Sequence, residues 1–161
     1  IYGWAAERIV RKEAAAGQPA FMYVFDYCYP AAEAADLCAF HASELPFVFG
    51  NLDSESLPPN WPVPDGDQDQ AISKALLDYW TSFAATGQPE SVYGPVWSSY
   101  GQDQSYLDIG QTLVSRTDPI PGMFELHEQL VAERKTAGEP WFLNIGLGAR
   151  PLSDAAGNEA E

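Results

Sequence analysis

The segment Ala20–Tyr27 (AFMYVFDY) constrains this chain most. It is rich in aromatic and β-branched residues, as strands are. Its apolar side chains fall on both sides of a two-residue period: Phe21, Tyr23, Phe25 and Tyr27 on one face, Met22 and Val24 on the other. A strand apolar on both faces belongs inside a parallel sheet with helices packed above and below. Asp26 interrupts the pattern near the C-terminal end, the end of an α/β sheet where polar chemistry is usually held. The segment therefore demands parallel neighbours, and the rest of the chain is short of strands to supply them. The chain reads as part of a larger α/β sheet.

Around this strand the sequence predicts three helices. Over 1–16, Trp4, Ala5, Ile9 and Val10 share a stripe, with Glu7, Arg8, Arg11, Lys12 and Glu13 mostly outside it; Gly17 and Pro19 supply the stop. Over 71–86, Ile72, Leu76, Trp80 and Phe83 recur at helical spacing. Asp67 with Gln70 is read as a capping box there, and Gly87 with Pro89 closes the helix. The third helix covers 123–137, with Leu126, Leu130 and Val131 on one side. Ser105–Ile109 (SYLDI) reads as a short strand, and 94–100 as a turn followed by an extended aromatic segment. From 28 to 69 the chain is irregular apart from a brief helical chance at 31–36. A loop of that length in a compact domain is usually functional. The last ten residues are small and acidic, and fraying is expected over 152–161.

Composition excludes several classes. With 161 residues, 46% of them hydrophobic and 19% charged, the chain has the size and apolar content to bury a core as one domain. A net charge of −15 is repelled by phosphate backbones and by anionic lipid, so nucleic acid is not an expected partner. Its apolar runs fall short of the roughly 18–20 residues that a membrane span requires. Cys28 and Cys38 are the two cysteines. They either close a small loop in an oxidising compartment or sit as two small buried hydrophobes. Neither a signal peptide nor an Asn-x-Ser/Thr acceptor is visible, and the chain opens on Ile1 inside a helical pattern.

Few residues could carry chemistry. His41 lies in the loop after the buried strand, a position from which general bases of α/β enzymes act. Glu44, three residues on, is either its orienting group or a separate buried carboxylate. His127, between Glu125 and Glu128, reads as a solvated helix residue. The run Asp65–Asp69 departs from the calcium-loop pattern at its sixth and twelfth positions, where Gln70 and Leu76 stand; a helix N-terminus accounts for the same carboxylates. Gly146-Leu147-Gly148 lacks the third glycine of a dinucleotide fingerprint. No Gly-x-Ser-x-Gly nucleophile elbow and no oxyanion Gly-Gly run occurs in the sequence. No metal or cofactor is expected.

Four co-linear motifs resemble the type B carboxylesterases, the family of the para-nitrobenzyl-type esterases and the cholinesterases. The aromatic strand leads, after a loop, to Ala39-Phe40-His41-Ala42-Ser43-Glu44-Leu45-Pro46-Phe47-Val48-Phe49-Gly50-Asn51, similar to that family's histidine segment. Leu76–Pro89 resembles its Trp-x-x-Phe-Ala-x-x-Gly-x-Pro helix. Val96–Tyr100 and Tyr106–Ile109 resemble the segments that follow, and Trp141 and Phe142 fit its C-terminal end. The resemblance implies that 1–161 is the C-terminal portion of one α/β-hydrolase domain. It further implies that His41 is the general base of a Ser–His–acid triad and Glu44 a supporting buried carboxylate outside the triad. Serine, triad acid and oxyanion glycines would lie upstream of Ile1, on an N-terminal part that is this chain's partner. The expected whole is a serine esterase acting on a small ester, with the 161-residue chain inactive and poorly stable alone. Export to the periplasm or medium suits such a family and this acidic composition. Ala42 stands where many members have glycine, which the backbone tolerates if it is not left-handed there. Two readings from other classes are a non-catalytic esterase-like adhesion protein and an aromatic-rich carbohydrate-binding module.

Overall fold

The computed structural model describes residues 2–139. The expectations for Trp141 and Phe142, for the 146–148 glycines and for the tail at 152–161 lie outside the described residues. The chain forms two compact units, Ile1–Pro121 and Gly122–Glu161.

The first unit is built on a mixed three-stranded sheet. Strand β1 (Tyr23–Phe25) pairs in parallel with β2 (Ser105–Ile109), which pairs antiparallel with β3 (Leu113–Thr117). The pairing of Tyr23 with Leu107 and of Phe25 with Ile109 confirms the expected parallel neighbour. Regular strand geometry covers three residues instead of eight, but backbone bonds extend on both sides. Leu107 N–H donates to Met22 O (2.9 Å), and Asp26 N–H to Ile109 O (2.9 Å). β1 is an edge of the sheet, and among the described residues no strand pairs with its other side. Tyr23, Val24 and Phe25 are accordingly half-buried, not enclosed on both faces as the sequence suggests.

Helix α1 (Tyr2–Ala15) matches its expected range and ends in the left-handed Gly17. Its inward face is different. Ile9 is exposed, whereas Glu7 is buried and accepts from Arg11 (Nε 3.1 Å, Nη2 2.7 Å) and from the Tyr100 hydroxyl (2.8 Å). A buried carboxylate is stable there because three donors replace its water. Burial, and then the Glu7 bond, push the Tyr100 phenol up to about 12.

Within the loop, the brief helical chance at 31–36 is realised as α2 (Pro30–Ala34), and a second short helix, α3 (Leu45–Phe49), forms where none was expected. The central helix α4 (Asp67–Thr86) starts four residues before its expected first turn. Its cap is not the Asp67–Gln70 pair: Asp69, 1% exposed, reaches back to accept from Gly66 N–H at 2.8 Å. The other oxygen of Asp69 accepts from the Tyr27 hydroxyl at 2.5 Å. One buried carboxylate thus ties the start of α4 to the end of β1, and burial followed by this bond raises the Tyr27 phenol.

The core gathers around these elements: Tyr27, Phe47, Ile72, Leu76, Tyr79, Leu107 and Ile109 are fully buried. Aromatic side chains of β1 and of Phe21 just before it meet α4 and Trp97 edge-on, with Tyr23–Trp80 centroids 5.2 Å apart and Phe21–Phe83 5.7 Å apart. Trp97 Nε1–H donates to Met22 O (3.0 Å), so the extended segment near 97 is pinned to the strand. In the second unit, helix α5 (Met123–Ala137) spans its predicted range; Val131 is buried while Leu126 and Leu130 are exposed.

Candidate active site

The histidine loop begins where β1 ends. Asp26 is exposed, Tyr27 and Tyr29 are buried and Cys28 between them is half-buried, so the chain alternates between surface and core as it leaves the strand. Cys28 O accepts from Gln111 Nε2 in the β2–β3 turn (2.7 Å). Cys28 and Cys38 are joined by a disulfide, which resolves the two alternatives left by the sequence. Between them Tyr29 and Ala32 are buried, Tyr29 donates to Pro62 O (3.0 Å), and residues 33–38 are all exposed.

On either side of Cys38 the backbone turns sharply. Asp36, Cys38 and Ala42 all have positive φ (56°, 39° and 69°), a conformation that disfavours a Cβ. The proviso attached to Ala42 therefore fails: its backbone is left-handed, and a glycine would sit there more easily. Local bonds offset this cost. Buried Ser43 donates Oγ–H to Phe40 O (2.7 Å) and accepts from Phe40 N–H (3.1 Å), closing the turn that displays His41. Phe40 packs edge-on against Trp61 at 4.9 Å.

His41 projects from this turn into solvent, and it makes no hydrogen bond or ion pair among the described residues. Glu44 follows at the N-cap of α3 and is half-buried, less enclosed than the resemblance implies. No bond joins it to His41. The Tyr23 phenol is raised by burial first and by the charge of Glu44 second. α3 itself is fixed to α4, since Ser73 Oγ–H donates to Phe47 O at 2.8 Å. His41 and Glu44 thus share one turn but do not form a dyad. An imidazole held this way can accept a proton.

An apolar cavity lies elsewhere. About 190 Å³ in volume, it is lined by Phe21, Tyr23, Tyr79, Trp80, Phe83, Pro89 and Trp97 and lacks His41. Its lining is apolar, and the same rings make the sheet–helix contact, which is a core arrangement more than a sugar platform. Among the described residues, no group of three or more His, Cys, Asp or Glu converges as metal ligands do, and no helix is long and apolar enough to cross a membrane.

Sequence reasoning missed the buried carboxylates Glu7 and Asp69. The capping position of Asp69 was the available signal, because an acidic residue three after a helix-starting glycine can reach back to its N–H.

Residues 1–123 match the sequence model of the carboxylesterase family. This chain belongs to the carboxylesterase family. Among curated relatives, carboxylesterase 5A of the dog is 31% identical over 99 residues, covering 58% of this chain and 17% of its own length. Bile salt-activated lipase of the mouse is 36% identical over 104 residues, covering 59% and 16%. Among solved structures, the carboxylesterase EST55 of Geobacillus stearothermophilus superposes with a TM-score of 0.57 at 30% identity, covering 71% of this chain and 23% of that one. An esterase of Clostridium hathewayi superposes at 0.60 with 25% identity, covering 74% and 23%. The described fold is therefore a fragment of the esterase α/β-hydrolase fold. The chain spans less than a quarter of the length of these carboxylesterases.

Proposed function

We propose that this chain is the histidine-bearing portion of a serine carboxylic ester hydrolase, with His41 as general base. In this reading His41 takes the proton of a serine hydroxyl as its oxygen attacks the ester carbonyl. The imidazolium then returns the proton to the departing alcohol, leaving an acyl-enzyme. A water activated by the same imidazole releases the acid. Glu44 acts outside the triad, as a carboxylate that shapes the ground beneath His41. Serine, triad acid and oxyanion donors come from a further polypeptide segment, the partner in this proposal, and the substrate is a small ester.

One observation carries the reading: the family segment 39–51 sets His41 in a turn that follows the C-terminal end of a parallel strand, the end where α/β enzymes gather their catalytic groups. The side of β1 that no strand among the described residues covers supports the partner, because the edge of a parallel pair is where a sheet continues.

The test is hydrolysis of a short-chain para-nitrophenyl ester. The polypeptide that carries this chain together with its complement is expected to turn over, and the 161-residue chain alone is not, because an imidazole without nucleophile and oxyanion donors keeps little catalytic advantage. Turnover that survives His41→Ala in the assembled protein would refute the assignment. An assembled protein with no activity at all would favour the non-catalytic binding reading.

A further inference from the structure

We propose that the Cys28–Cys38 disulfide is a positioning element for His41, so that the activity of the site depends on thiol redox state; this rests on the reading of His41 as general base. The two ends of the histidine loop are anchored unequally. At its start, Tyr27 is locked to Asp69 and Cys28 O to Gln111. At its far end, Ser43 is buried in the turn and α3 is tied to α4 through Ser73. The intervening stretch 33–38 is wholly exposed and contributes no buried side chain. It nevertheless enters the turn through two left-handed non-glycine residues, Asp36 and Cys38, and a third follows at Ala42. Such conformations persist only where surrounding structure over-determines them.

His41 supplies no restraint of its own, since it bonds to no described residue. Upstream of it, the Ser43 bonds to Phe40, the contact of Phe40 with Trp61 and the backbone bonds of Asp36 and Leu37 back to the end of α2 hold the chain, and the one covalent tether is the link from Cys38 to the anchored Cys28. The link is the covalent tether between this exposed stretch and the anchored start of the loop. It restricts the freedom of the loop when closed and releases it when opened. Cys38 is exposed and Cys28 half-buried, so a small thiol has access to the bond.

Opening requires a dithiol. It transfers two electrons and two protons, its own sulfurs join as a disulfide, and Cys28 and Cys38 become two thiols. The left-handed residues then relax, and His41 leaves the position from which it reaches the serine.

The experiment uses the assembled esterase, oxidised and after treatment with a dithiol, with the thiols counted by alkylation and mass. Two alkylated thiols after treatment, and none before it, are required. Amide hydrogen exchange in 36–43 is expected to rise at least ten-fold, kcat to fall at least ten-fold with KM little changed, and reoxidation to restore both. The Cys28→Ser/Cys38→Ser variant is expected to reproduce the reduced state. Unchanged exchange and kcat after verified reduction would overturn the proposal. So would free thiols in the untreated protein, or a general loss of near-ultraviolet circular dichroism, which would make the disulfide a global staple. Full activity in His41→Ala defeats the general-base reading and this proposal with it; an inactive His41→Ala with no effect of reduction defeats this proposal alone.

Discussion

The core beneath β1 and the loop beyond it solve opposite problems. In the core, position is over-determined: Phe47, Leu76, Tyr79 and Ile109 are fully enclosed, and Asp69 and Trp97 add bonds that fix helix and segment to the strand. In the loop, a few residues hold an exposed histidine through one tight turn, one aromatic contact and one disulfide, at the expense of three left-handed residues. The core can lose a contact and remain a core, whereas the loop has little redundancy. A scaffold of the first kind presenting a site of the second is how mobile, reactive groups are usually held.

Substitutions at the two regions should separate stability from activity. The largest effect is expected at His41: its replacement by Ala in the assembled esterase should lower kcat by about 10²–10⁴-fold, the usual range for a general base. Because the side chain is exposed, melting of that variant should shift little, with stability changed by less than about 0.5 kcal/mol. Phe47→Ala should do the reverse and cost about 3–5 kcal/mol in denaturant unfolding, since a fully buried ring is removed. Asp69→Ala should cost about 2–3 kcal/mol, because Tyr27 loses its acceptor and Gly66 N–H its cap.

Alkali should attack the core and not the loop. Burial holds the Tyr79 phenol at about 12, and burial with Glu7 does the same for Tyr100, against an ordinary value of 10. Their contribution is fully present below pH 10 and is lost as pH rises from 10 through about 12, since the unfolded phenols ionise first. Unfolding free energy followed across that window should fall, and ultraviolet titration should place Tyr27, Tyr79 and Tyr100 late. The smallest effect is expected at Ala42→Gly, a gain of about 1 kcal/mol from relief of the left-handed Cβ, with exchange in 36–43 as the local check.

Much of the scaffold was legible because it depends on local periodicity. β2 and α5 coincide with the expected ranges, α1 and α4 nearly so, and of the parallel neighbours expected for β1 the described residues supply one, β2. β3 was missed because an edge strand such as Leu113–Thr117 is half exposed and carries no apolar alternation. α3 was missed because Pro46 reads as a breaker, although proline suits the first turn of a helix. The buried roles of Glu7 and Asp69 depend on Tyr100 and Tyr27, which lie 93 and 42 residues away in sequence, and no window along the chain brings them together. For the site, motif order singled out His41 and Glu44. The left-handed Ala42, the half-burial of Glu44 and its influence on Tyr23 arise from tertiary geometry.

The most direct test of His41 as general base is the rate at which a fluorophosphonate labels serine in the assembled esterase, with and without His41→Ala. The expected result is one labelled serine in the parent protein and labelling slowed by at least a hundred-fold in the variant, with melting unchanged. Equal labelling rates in the two proteins would contradict it.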